Sequence, residues 1–72
     1  MTPEQQRAGA LEAIERIVNR GGEEGDVLEA VSGVVSNLDR GTADDSAFVD
    51  RVTTLVSAYS TDPEKVRSIF SG

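Results

Sequence analysis

The stretch Asp26-Val27-Leu28-Glu29-Ala30-Val31-Ser32-Gly33-Val34-Val35-Ser36-Asn37-Leu38 decides how this chain is to be read. Its valines favour strands in isolation, but a half-buried strand alternates apolar and polar positions and this stretch does not. Leu28, Val31, Val35 and Leu38 instead recur in the three- and four-residue steps of one helix face, with Val27 and Val34 flanking them. Asp26 and Glu29 stand at capping-box spacing, which places the helix start near Asp26, and Gly41 supplies its end. Gly33 costs a helix about 1 kcal/mol relative to alanine, and a residue that small would let a second helix approach closely.

The same punctuation organises the rest of the chain. Before this stretch, Thr2-Pro3-Glu4-Gln5 combines an N-cap, a proline at the first helical position and a glutamine at capping-box spacing. A first helix is therefore expected over Pro3 to Arg20, with Leu11, Ile14 and Val18 on its apolar face, Ala10 and Ile17 widening it, and Gly21-Gly22 as its stop. Glu12 and Arg16 form an i, i+4 pair on the solvated side. A third helix is expected after Thr42-Ala43-Asp44-Asp45, capped by Thr42 or one of the aspartates. Its stripe is Phe48, Val52, Leu55 and Tyr59, with Val49 and Val56 beside it. Asp62-Pro63-Glu64 repeats the opening logic and starts a short fourth helix with Val66, Ile69 and Phe70 on its apolar face.

The expected fold is all-α: a compact bundle of three main helices plus a short fourth C-terminal helix, in one domain over residues 1–72. Connections this short imply antiparallel neighbours. The expected core is Leu11, Ile14, Val18, Leu28, Val31, Val35, Leu38, Phe48, Val52, Leu55, Val56 and Ile69.

Composition narrows function more than it identifies it. A chain of 72 residues buries only about 60% of the surface its unfolded state exposes, so its stability is marginal. Small domains often add disulfides, metals or oligomerisation, and zero cysteines and zero histidines remove the disulfides and the usual zinc ligands. A net charge of −6 works against binding nucleic acid or an anionic membrane, both of which call for a basic face. No apolar run follows Met1-Thr2-Pro3-Glu4-Gln5-Gln6-Arg7 as a secretory signal would require. No stretch approaches the roughly 18 apolar residues that span a bilayer. A cytoplasmic protein is expected.

Candidate chemistry is sparse. Glu23, Glu24 and Asp26 lack the alternating oxygen ligands of a calcium loop and read as a solvated turn with a helix cap. Asp44 and Asp45 read as acids that complement a helix N-terminus. Ser32, Ser36, Ser46, Ser57, Ser60, Ser68 and Ser71 have no histidine to activate them as nucleophiles. Lys65, the only lysine, falls in the first turn of the fourth helix, in water. No catalytic residue, cofactor-binding residue or metal ligand is assigned, and an enzyme is not expected. A helix-turn-helix would need basic or amide side chains on its recognition helix, where the third helix offers Asp45, Asp50 and Arg51.

Two family resemblances bear on function. Asp45-Ser46-Ala47, opening a helix in a small acidic chain, is similar to the acyl and peptidyl carrier proteins, and that likeness would make Ser46 the acceptor of a phosphopantetheine arm. The run from Ala10 to Gly22, continuing through Val27-Leu28-Glu29-Ala30-Val31, resembles the leading helices of bacterial GAF sensor domains. The run from Asp45 to Val56 is similar to the helix that closes them. This chain has no counterpart of the GAF central sheet and pocket, so what the resemblance implies is the helical layer that often mediates dimerisation in those sensors.

The expectation drawn from the sequence is a non-enzymatic interaction or dimerisation module with a regulatory role. It would act as a homodimer, or on a protein partner, through apolar surface on the second and fourth helices, with neither nucleic acid nor membrane as partner. Two alternatives stay open: a carrier-like domain modified on Ser46, and a small DNA-binding regulator.

Overall fold

Thr2 starts the first helix as its sequence requires. In a computed structural model describing residues 2–60 and 62–71, the Thr2 hydroxyl accepts from the Gln5 N–H at 3.2 Å and Gln5 Oε1 accepts from the Thr2 N–H at 3.0 Å. Met1, Thr61, Gly72 and the side chain of Ser71, one of the serines considered above, lie outside the described residues. Helix α1 runs Pro3–Arg20 and stops at Gly21, whose N–H donates to the Val18 carbonyl and whose φ is 79°. Both ends match the sequence expectation.

The second helix, α2 (Glu24–Ser36), departs from expectation at both ends. It starts before Asp26, with Glu23 in the capping position and no side-chain cap bond. Glu24 and Asp26 lie in its first turn, where their charge complements the positive end of the helix without any cap geometry. Ser36 rather than Gly41 ends it, so Leu38 lies beyond the helix. A single further turn, α3 (Arg40–Ala43), follows, and the sequence reading contains no such helix. Asp39 opens it, its carbonyl accepting from the N–H groups of Thr42 and Ala43. Gly41 sits inside this turn and terminates nothing. Gly33 also serves differently from expected, because no atom of another element lies within 4 Å of where its Cβ would be.

Of the three candidate caps for the next helix, α4 (Ser46–Val56), it is Asp45 whose Oδ1 accepts from the Phe48 N–H at 3.0 Å. The helix ends before Tyr59. Near that end Thr53, Thr54 and Ser57 return their hydroxyls to carbonyls of their own helix, a local competition that weakens a helix interior. Tyr59, expected on a continuing helical stripe, instead reaches back to α1 and donates its hydroxyl to the Val18 carbonyl at 2.7 Å. That carbonyl is among the last four of α1, which have no intrahelical partner to complete them. Tyr59→Phe is expected to lower stability by about 1 kcal/mol, read as a shift of the urea midpoint with an unchanged slope. The last helix, α5 (Pro63–Ser71), opens with Asp62 Oδ1 accepting from the Glu64 N–H at 3.0 Å.

The described residues form five helices and no strand, the all-α class expected with one turn more than foreseen. Helix α1 packs on α2, α3 and α4, while α5 packs on α2 and α4. Ile14, Val31, Val35, Phe48, Val52 and Val56 are buried as expected. Leu11, Val18, Leu28, Leu38, Leu55 and Ile69, also expected in the core, are half-buried and pack at its margin. Their places at the centre are taken by Ala10, Val27, Ala43 and Val66. The reason lies in the pitch of the buried lines: Ala10–Ile14, Val27–Val31–Val35 and Phe48–Val52–Val56 all advance by four residues. This brings Ala10, Ile14, the valines and Phe48 to the centre and leaves the leucines at its margin. Phe48 and Phe70 meet edge to face, ring centroids 6.1 Å apart, and join α4 to α5.

Candidate interaction surface

The apolar arc on α2 is divided by its neighbours. Val27, Val31 and Val35 face inward and are buried, while Leu28, Val34 and, just beyond the helix end, Leu38 are half-buried. Helix α5, the fourth helix of the sequence reading, lies against α2. The two are also joined by an ion pair, Lys65 Nζ to Glu24 Oε1 at 2.9 Å. The Glu24 carboxylate, by hydrogen bond and charge, raises the Lys65 ammonium above its ordinary pKa of 10.5. Both side chains are about half exposed, so the pair orients α5 more than it stabilises it.

Where the C-terminal parts of α2 and α5 meet α3, they enclose a groove of about 430 Å³. Val35 and Ala43, both buried, floor it, and Leu38, Ile69 and Phe70 form half-buried walls. Its polar lining includes Ser36 and Ser68, whose hydroxyls donate to the carbonyls of Gly33 and Lys65 on their own helices. Arg40 and Asp44 line it from the two ends of α3. A second groove of about 330 Å³ lies between α1 and α4, with Leu11 and Phe48 as its apolar part and Arg7, Arg51, Glu4 and Asp45 around it. Arg7 is engaged there, donating from Nη1 to the Thr42 carbonyl at 3.2 Å and so tying α1 to α3.

The residues considered as chemistry do not converge. Ser46 is exposed at the first position of α4 and lines neither groove. Glu24 is committed to Lys65, and among the described residues no three of Asp, Glu, His or Cys come together as a metal site. Asp44 and Asp45, adjacent in sequence, face different grooves, and only Asp45 caps. Arg40 escapes a sequence reading because, with Gly41 taken as the stop, it reads as an ordinary residue of the last turn of the second helix. The one available signal is its i, i+4 spacing to Asp44, which has meaning only once α3 exists. No helix among the described residues is long and apolar enough to cross a membrane. No protein-family model matches the chain, and neither a curated protein nor a solved structure does.

Proposed function

We propose that this chain is a non-enzymatic, regulatory protein–protein interaction module of the cytoplasm that acts as a homodimer, and that the groove between α2, α3 and α5 is its contact surface. The observation that carries this reading is the groove's construction. Leu38, Ile69 and Phe70 present apolar surface over a buried floor, with serines and one charge of each sign around them. An apolar centre with a polar rim is the general anatomy of a protein interface. Pairing about a twofold axis is the commonest way for a small domain to cover such a surface. The marginal burial available to 72 residues favours the same outcome. The chain has no histidine, the residue that most often activates a serine as a nucleophile. The resemblance of the α1–α2 run to the helical layer of GAF sensor domains supports dimerisation at the same level of proposal.

Sedimentation equilibrium over a micromolar concentration series tests it. A mass rising toward that of two chains is expected. Ile69→Glu, which places a charge in the groove wall, is expected to return the protein to monomer with its helical circular dichroism intact. A constant mass of 7.6 kDa at every concentration would refute self-association.

A further inference from the structure

Arg40 and Asp44 stand one helical turn apart on α3, both exposed and both lining the groove. They do not satisfy each other: the ion pairs among the described residues are Arg16–Glu12 and Lys65–Glu24. Part of the reason is order, since an i, i+4 pair is weaker with the cation on the N-terminal side. The Asp44 side chain caps no helix either: its backbone N–H closes α3 on the Arg40 carbonyl, and it is Asp45 whose side chain caps α4. The groove thus carries one unmatched positive and one unmatched negative side chain, four residues apart.

That pattern is self-complementary. Under a twofold axis, if residue i of one copy meets residue j of the other, then j also meets i. One contact between Arg40 and the partner copy's acid therefore generates a second, equivalent contact, and no charge in the groove is left over. Each copy carries a net charge of −6, so two copies brought together without local pairing would repel. Complementary charges at the contact offset that repulsion and fix the register of approach. A different partner would need no such balance of signs within a single groove.

We infer that the occupant of this groove is a second copy of the chain, held in register by two symmetry-related Arg40–Asp44 ion pairs flanking the apolar contact of Leu38, Ile69 and Phe70. This rests on the dimeric reading above, and the test separates the two. Sedimentation equilibrium is run on the wild type, on Arg40→Asp, on Asp44→Arg and on the double exchange R40D/D44R, with circular dichroism confirming helicity in each. Each single variant sets like charges against each other twice and is expected to weaken self-association roughly tenfold or more. The double exchange restores opposite charges and is expected to recover the wild-type affinity. The decisive sample is a mixture of the two single variants, in which every facing pair is again opposite. It is expected to form a one-to-one heterodimer although neither component dimerises well alone. If a single variant lost helicity, the neutral Arg40→Gln and Asp44→Asn would take its place, each weakening association less and the two together recovering part of it, because their mixed dimer regains one of the two Arg40–Asp44 pairs. A wild-type dimer whose affinity none of these exchanges alters would overturn the pairing and leave the dimer standing. Singles that weaken, with neither the double exchange nor the mixture recovering, would overturn it equally. A monomeric wild type would remove both.

Discussion

Phe48→Ala is expected to leave the protein at the edge of unfolding at room temperature. Phe48 is 2% exposed, and its ring meets Phe70 edge to face, so the truncation removes buried apolar surface, opens a cavity and deprives α5 of its contact with α4. Buried phenylalanine-to-alanine changes cost about 3–5 kcal/mol. A domain of this size sits near the lower end of the ~5–15 kcal/mol range of native stabilities, so the loss is comparable to the whole. Far-UV circular dichroism at 25 °C should show a reduced helical signal, and a urea titration should begin its transition at or near zero denaturant. Phe48→Leu keeps most of the volume and should fold with a lowered midpoint. A melting curve for Phe48→Ala close to wild type would remove Phe48 from the centre of the core and undo the packing of α4 described above. The same loss should abolish association, because Phe70 forms one wall of the groove.

Gly21→Ala is expected to destabilise by about 1–3 kcal/mol, with the cost in the backbone and not in a clash. Gly21 has φ 79° and ψ −170°, in a region that residues with a Cβ essentially never occupy. An added Cβ there would meet the Tyr59 Oη at 3.6 Å, an ordinary contact distance. To escape the strain the chain must rotate out of the turn joining α1 to α2, which draws the Gly21 N–H and the Tyr59 hydroxyl away from their shared acceptor, the Val18 carbonyl. The contrast within the molecule is Gly33→Ala. That glycine lies inside α2 with nothing near its missing side chain, so alanine there should stabilise by up to about 1 kcal/mol. Thermal melts of the two variants should therefore shift in opposite directions. A melting temperature for Gly21→Ala equal to or above wild type would show that the turn conformation of Gly21 does not govern the junction.

Legibility follows the range of the force involved. The Thr2–Gln5 box, the Asp62 turn and the stop at Gly21 each depend on residues within four positions of one another, and each is visible in the sequence, whereas the cap of α4 is narrowed there only to Thr42, Asp44 or Asp45. Gly41 misleads because a glycine after an apolar run has two uses, and only the burial of Thr42 and Ala43 against the rest of the molecule selects a new turn over a simple stop. Tyr59 fits the stripe of α4 by spacing, but its partner is a carbonyl far away in sequence, so a local pattern gives no notice of it. The groove is legible only in part. The apolar character of Leu38, Ile69 and Phe70 can be read directly, whereas the placement of Arg40 and Asp44 beside them depends on a turn that the sequence does not announce.

By itself, then, the sequence determines the helical class, the boundaries of α1, the capping of α5 and most of the side chains that must be covered. Hydrogen bonds across one turn and the 3.6-residue period settle all of these, and they act within each segment. The tertiary structure alone decides which members of that set reach the centre. Val27, Val31 and Val35 of α2 are buried while Leu28, Val34 and, beyond the helix end, Leu38 stay at the margin, once α1 and α5 pack on α2. Periodicity defines a face about a helix axis, but where on that face the centre lies is set by the directions from which neighbours approach, and those belong to the assembled bundle.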